Sequence, residues 1–303
     1  MKKVLDINTV YQCNQMLSGE ALHSLVSVMD LSKSEEKLRN DLKIGFYSIL
    51  LKEYGHEYYP YGRKKCDYSD GTVIFLAPGN CLDTEYNNEH ICNEGMMLAF
   101  HPELIRNTSL GLHIHNYSFF SYNKEEALHI SEREKKIFRQ CLKPINEELH
   151  RSIDKHSQTL IVKSIELLLG YCTRFYERQF ILRNEENKHL IKKTEQLINN
   201  FFTSPTIQIK GLPDSCHFAN SLNLSAVYFT YLLKHETGQT VNEYVEAKRI
   251  EIAKKWLSET NRSVSQVANT LRYPSVEYFS RLFEKVTGIV PEKYFLTTGQ
   301  KHT

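Results

Sequence analysis

Apolar positions along this chain change rhythm twice. Between about residues 42 and 122 they come in short runs separated by turn residues, with Tyr54-Gly55, Ser69-Asp-Gly71 and Pro78-Gly-Asn80 as punctuation. Leu42–Lys52 is apolar on both faces through Ile44, Phe46, Ile49 and Leu51, which predicts one buried strand. Thr72–Ala77 and Glu94–Phe100 predict two more. Short strands at this spacing predict an antiparallel sandwich or small barrel. From residue 131 the period lengthens. Ser131 and Glu134 form a capping-box pattern ahead of a face carrying Ile137, Cys141, Ile145 and Leu149, with Pro144 placed to kink it. A second stripe holds Ile161, Ile165, Leu168, Cys172 and Phe175. Two helices over about 131–180 would cover the β core or pair with a second subunit. Residues 183–189, Arg-Asn-Glu-Glu-Asn-Lys-His, are polar throughout and predict a linker between residues 1–182 and 190–303. Helical periodicity resumes at Leu190 and runs to about Tyr294.

The C-terminal segment repeats itself with a period near 50 residues. Phe218-Ala-Asn-Ser-Leu-Asn-Leu-Ser225 precedes Ala-Val-Tyr-Phe-Thr-Tyr-Leu-Leu-Lys-His-Glu-Thr-Gly238. Val267-Ala-Asn-Thr-Leu-Arg-Tyr-Pro-Ser275 precedes Val-Glu-Tyr-Phe-Ser-Arg-Leu-Phe-Glu-Lys-Val-Thr-Gly288. Each copy reads as a helix-turn-helix. A short helix packs through a small residue, Ala219 or Ala268. A tight turn follows, Ser225 or Ser275 caps the next helix, and Thr-Gly stops it. In the second copy Phe279, Leu282, Phe283 and Val286 are spaced to face the core, with Glu277, Ser280, Arg281 and Glu284 opposite. In the first, Phe229, Leu232 and Leu233 point inward, and Val227, Thr230, Tyr231 and Lys234 outward.

Ala253-Lys-Lys-Trp-Leu257, Val264-Ser-Gln-Val-Ala268, Tyr278-Phe-Ser-Arg-Leu-Phe283 and Thr287-Gly-Ile-Val-Pro-Glu-Lys-Tyr294 resemble the signature of the AraC/XylS family of bacterial regulators. The resemblance spans about residues 189–296 and is sharper in the second copy. It implies a sequence-specific regulator on double-stranded promoter DNA, with RNA polymerase as a partner if it activates. It also implies one long helix, here about Val241–Ser258 and on the order of 25 Å, joining the two units and setting their recognition helices roughly one DNA turn apart. By the same resemblance Val227, Thr230 and Tyr231 face bases in the first unit, and Val276, Glu277, Ser280 and Arg281 in the second. Arg281 suits guanine and Glu277 suits the amino group of cytosine. Ser225, Lys234, His235, Ser265, Ser275 and Lys285 are the phosphate contacts, which position without specifying. One departure is Arg272, where the family has glycine in the second turn. Asn223 holds that place in the first. Either the second turn differs, or a left-handed arginine is tolerated because it touches DNA.

For the N-terminal part the resemblance is architectural. It implies a cupin-like antiparallel β-sandwich or barrel with a helical dimerisation element over about 131–180, giving an α+β chain that ends in an all-α DNA-binding domain. In the family such a domain binds an effector or mediates homodimerisation. The cluster Tyr54, Tyr58, Tyr59, Tyr61 and Tyr68, with Arg63 and Lys64 among them, could line a pocket for a sugar or an aromatic acid. Tyr58, Tyr59, Tyr61 and Arg63 are the ligand candidates. Packing is the plainer reading of such tyrosines. A regulator controlled by its own expression or by a protein partner would need no such pocket.

Composition adjusts this picture in few places. The 303 residues are 41% hydrophobic and 24% charged, a balance suited to a globular protein with a real core. Residues 191–303 hold 14 Lys and Arg against 10 Asp and Glu, whereas residues 1–190 hold 24 against 26. The basic half is therefore the half with the repeat, as a polyanion partner requires. The seven cysteines, Cys13, Cys66, Cys81, Cys92, Cys141, Cys172 and Cys216, include no C-x-x-C pair and read as free thiols in a reducing cytosol. No membrane span or secretion signal is recognisable, which favours a cytoplasmic location. His113-x-His115 has the first spacing of a metal cupin but no following glutamate, so no metal or cofactor is expected, and no catalytic residue. The competing reading is a cupin-type enzyme fused to a DNA-binding module. Arg281→Ala is expected to lose about 1–3 kcal/mol of site-specific binding, measured by titrating the protein against its operator; unchanged affinity would remove Arg281 from the reading face.

Overall fold

The computed structural model describes residues 4–17, 22–33, 41–53, 71–82, 85–86, 89–90, 95–203, 212–259 and 262–294. It divides into two compact units, residues 1–182 and 183–303.

The first unit begins with β1 (Val4–Ile7), α1 (Val10–Leu17), β2 (Val26–Asp30), β3 (Asp41–Ile44), β4 (Tyr47–Lys52) and β5 (Thr72–Leu76). It continues through β6 (Cys81–Leu82), β7 (Glu85–Tyr86), β8 (Glu89–His90), β9 (Gly95–Phe100), α2 (Pro102–Ile105), α3 (Ser109–His113) and β10 (Leu128–His129). Two longer helices, α4 (Glu132–Leu149) and α5 (Ser157–Leu182), close it. The main sheet is antiparallel, in the order β10-β5-β4-β9-β2. A second sheet runs β1-β3-β6, with β1 parallel to β3. β7 and β8 pair with each other.

β4 is buried on both faces because both have partners. Leu50, Ile74, Met97 and Ala99 face a core that includes Ile7 and Val10 from β1 and α1, Leu42 and Ile44 from β3, and Phe46. The alternate positions Ile49, Leu51, Val73, Phe75 and Phe100 are equally buried. On that side Phe75 packs against Phe119, with ring centres 4.3 Å apart, and against Tyr176 of α5 at 6.1 Å. Ser131 caps α4 through the capping box with Glu134. Phe138, Leu142 and Ile145 of α4 and Ile161, Ile165 and Leu168 of α5 are buried where the two helices pack together.

Three expectations need correction. The β region is not confined to 42–122. Strands run from Val4 to His129, and residues 102–126 form short helical turns instead, with Phe119 and Phe120 in a 3-10 turn under the sheet. Leu42–Lys52 is two strands. Gly45 interrupts it, donating its N–H to Ile7 O at 2.8 Å, where a Cβ would stand 3.0 Å from Asn8 Cα. Residues 183–189 begin the second unit, at the expected boundary, but they are mostly helical and not a loose linker. Arg183 is buried, and the remaining residues open α6 (Asn184–Thr203), where buried Asn187 donates to Glu236 at 3.0 Å. The polar letters there are one helix's exposed face plus two buried polar residues, Arg183 and Asn187.

The second unit is all-α: α6, α7 (Ser215–Ser221), α8 (Ala226–Thr237), α9 (Val241–Glu259), α10 (Val264–Thr270) and α11 (Val276–Thr287). No helix among the described residues is long and apolar enough to cross a membrane.

Gly95 opens β9 at φ 145°, and a Cβ there would stand 2.1 Å from Leu51 O. Gly95→Ala should therefore break the β4–β9 pairing at that end and destabilise the first unit by about 2–4 kcal/mol, measured by denaturant unfolding.

Candidate nucleic-acid interface

The two repeats fold into matching turns. In the first, α7 ends at Leu222, Asn223 adopts φ 54°, and Leu224 N–H returns to Ala219 O at 2.8 Å. In the second, α10 ends at Leu271, Arg272 adopts φ 57°, and Tyr273 N–H returns to Ala268 O at 3.0 Å. Ala219 and Ala268 are both buried at these crossings, where a longer side chain would force the helices apart. Ser225 Oγ accepts from Tyr228 N–H, and Ser275 Oγ from Tyr278 N–H, each at 3.1 Å. Both recognition helices end on a left-handed glycine, Gly238 at φ 72° and Gly288 at φ 76°. The second turn thus repeats the first as far as Tyr273, with arginine in the left-handed position, and then carries one extra residue, Pro274, before its serine cap.

These turns set the outer faces of α8 and α11. Val227, Thr230, Glu277 and Arg281 are exposed, while Tyr231, Val276 and Ser280 are half-buried. Among the phosphate candidates Lys234, His235, Ser265, Ser275 and Lys285 are exposed and Ser225 is half-buried. On α8, Tyr231 stacks on His235 with centres 6.4 Å apart. Thr230 Oγ1 donates to Ala226 O at 2.8 Å, so its hydroxyl hydrogen is engaged by the helix backbone. On α11, Arg281 Nε leans back to Glu277 O at 3.4 Å. The Glu277 carboxyl is held below the usual carboxylate range by its own backbone N–H, by Ser275 and by the Arg281 charge. Inward, Phe229, Leu232, Leu233, Phe279 and Phe283 are buried, and Leu282 is half-buried. Val286 is 54% exposed, against expectation, because the last turn of α11 runs past the edge of its core. Tyr228 and Tyr278 match in sequence yet differ in place: the first is buried, the second 46% exposed.

α9 joins the units, and its buried face carries groups that sequence reasoning overlooked. Tyr244 donates to Glu195 of α6 at 2.9 Å, and Lys248 reaches the same carboxylate at 3.0 Å. Burial opposes the charge on Glu195, but these two bonds outweigh it and hold the carboxyl below its usual range. Arg249 is buried and bonds the carbonyl of Leu271 in the second turn. Its signal was present: a cation within a stripe otherwise formed by Val245, Ile252 and Ala253.

The tyrosine cluster falls elsewhere. Tyr58, Tyr59, Tyr61 and Arg63, with Tyr54, Lys64 and Tyr68, lie outside the described residues. His113 ends α3 and His115 lies in the next helical turn, so neither is on a strand. Among the described residues no group of three His, Cys, Asp or Glu side chains could hold a metal ion. Cys13, Cys81, Cys141, Cys172 and Cys216 are free thiols.

Two helix-turn-helix units on a shared connecting helix define the class of fold to which nucleic-acid-binding domains of this kind belong. The family model described as a helix-turn-helix domain matches residues 218–296. The matched residues lie in the C-terminal unit and span both helix-turn-helix units. An uncharacterized HTH-type transcriptional regulator, YtdP of Bacillus subtilis, is 37% identical over 25% of this chain and 10% of its own. The raffinose operon transcriptional regulatory protein RafR of Pediococcus pentosaceus is 33% identical over 36% of this chain and 39% of its own. The probable transcriptional regulator LumQ of Photobacterium leiognathi is 25% identical over 80% of this chain and 92% of its own. The chain thus spans well under half the length of the first two relatives.

Since Arg272 is left-handed, Arg272→Gly should stabilise the second unit by about 1 kcal/mol, read from thermal or denaturant unfolding. No gain would mean that neighbouring contacts already offset the strain.

Proposed function

We propose that this protein is a sequence-specific DNA-binding transcriptional regulator of the AraC/XylS type, acting in the cytoplasm without catalytic activity of its own. The observation that carries the reading is the pair of capped recognition helices, α8 and α11, each leaving an equivalent left-handed turn with its outer face exposed. α9 has 19 residues and is about 28 Å long, close to one turn of duplex, so both helices can enter successive major grooves. Val227, Thr230 and Tyr231 offer methyl and aromatic groups and read thymine methyls and groove shape. Glu277 and Arg281 offer hydrogen-bond chemistry and read a cytosine and a guanine, with Val276 and Ser280 beside them. Ser225, Lys234, His235, Ser265, Ser275 and Lys285 grip phosphates and fix the register.

The first unit is the sensing and dimerisation part. Its two sheets share one core, which supports a cupin-like sandwich. α5 exposes Leu160, Leu167, Ile181 and Leu182, apolar area that a homodimer through α4 and α5 would cover. Tyr58, Tyr59, Tyr61 and Arg63 are the proposed contacts of a small-molecule effector. RNA polymerase is the further partner if the protein activates.

Genome-wide footprinting tests the reading. Occupancy should concentrate at discrete promoter sites that share a bipartite motif with halves about one helical turn apart. Diffuse occupancy with no shared motif would overturn it.

A further inference from the structure

Arg249 is a cation standing where the buried stripe of α9 calls for an apolar residue. It is 4% exposed. Its Nε and Nη2 both donate to the Leu271 carbonyl, at 3.1 and 2.7 Å, and Nη1 donates to Glu246 at 2.8 Å. The guanidinium lies 3.8 Å from the centre of the Tyr273 ring and 5.9 Å from that of Phe202. Leu271 and Tyr273 flank Arg272, the left-handed residue of the second turn. One side chain therefore holds the turn from both sides, by hydrogen bonds before the left-handed residue and by stacking after it.

The first helix-turn-helix is built differently at the same place. Its left-handed residue is Asn223, a type that tolerates this conformation, and the position of Tyr273 is taken by Leu224, which offers no ring to a cation. Burying an arginine costs stability unless its donors are matched, and Leu or Met would fill such a core more cheaply. What the guanidinium adds is geometry: a planar fork that orients one carbonyl and one ring together.

We infer that Arg249 is a positioning residue for base reading. It sets the angle at which α11 leaves the second turn, and so aims Glu277 and Arg281 at base edges without touching DNA itself. The inference rests on the DNA-binding reading above. Lysine does not substitute, because a flexible ammonium cannot give two N–H groups to one carbonyl while lying flat on a ring.

The test uses the full chain and duplexes that the wild type selects from a random-sequence library. Hydroxyl-radical footprinting of a selected duplex should show two protected segments, and Arg281→Ala identifies the one that belongs to the second unit. Arg249→Lys is compared with Tyr273→Leu, a milder change that gives the second turn the residue of the first. Both are measured well below their melting temperatures. Each should weaken protection of the second segment about tenfold and leave the first unchanged, with a far-ultraviolet circular dichroism spectrum matching the wild type to show that α10 and α11 remain folded. Adding Arg272→Gly to Arg249→Lys should recover part of the second segment, since glycine holds the turn without a clamp. Equal protection of both segments in both variants, or parallel loss of both, would overturn the positioning role. Failure of the wild type to select any sequence is a distinct result and would remove the DNA-binding reading beneath it.

Discussion

A single left-handed residue between two short helices is the constraint on which the second unit depends. At Asn223 and again at Arg272 the chain reverses within three residues, and the next N–H returns to the carbonyl of a buried alanine. That bond draws the two helices to a close approach, at which small residues, Ala219 and Ala268, are buried. The serine cap follows at once in the first turn and after Pro274 in the second, so the start of each recognition helix and the direction it takes are set together. Were either turn looser, the outer faces of α8 and α11 would lose a defined orientation, whatever side chains they carried.

The units reach this common geometry by unequal means. The first uses an asparagine, whose short polar side chain suits the left-handed region. The second places an arginine there and braces the turn with Arg249 from α9. α6 supports the first unit through Asn187 and Glu236, and is tied to α9 through Glu195, Tyr244 and Lys248. Buried polar groups thus lie where helices must meet at one angle. The apolar core of Phe229, Leu232, Phe279 and Phe283 supplies cohesion but little angular preference. The exposed chemistry differs in the same sense: methyl and aromatic groups on α8, a carboxylate and a guanidinium on α11.

The first unit follows another principle, a main sheet covered on both faces. The β1-β3-β6 sheet and α1 cover one side of it, and aromatic rings from residues 119–120 and α5 pack on the other. Double coverage explains why β4 and β5 are buried almost throughout and carry the unbroken apolar runs Ile49–Leu51 and Val73–Leu76 instead of alternating.

The sequence by itself determined the second unit's plan. Caps, stops, small residues and the apolar stripes of α8 and α11 are local signals, each readable within one turn or one helix. Their repetition in register made the pair of helix-turn-helix units legible, together with most of the residues on their outer faces. The tertiary structure decided what depends on partners distant along the chain. Gly45 splits an apolar run because β1 approaches it. The polar letters of 184–189 open a helix that is tied down where Asn187 meets Glu236. Val286 is exposed because the core ends before α11 does. Arg249 stands out in sequence as a cation within an apolar stripe, but it becomes a brace only because Leu271 and Tyr273, more than twenty residues on, fold back against it. Local propensity and periodicity carry no record of such meetings, and the energy of a buried polar tie exists only once both partners have left water.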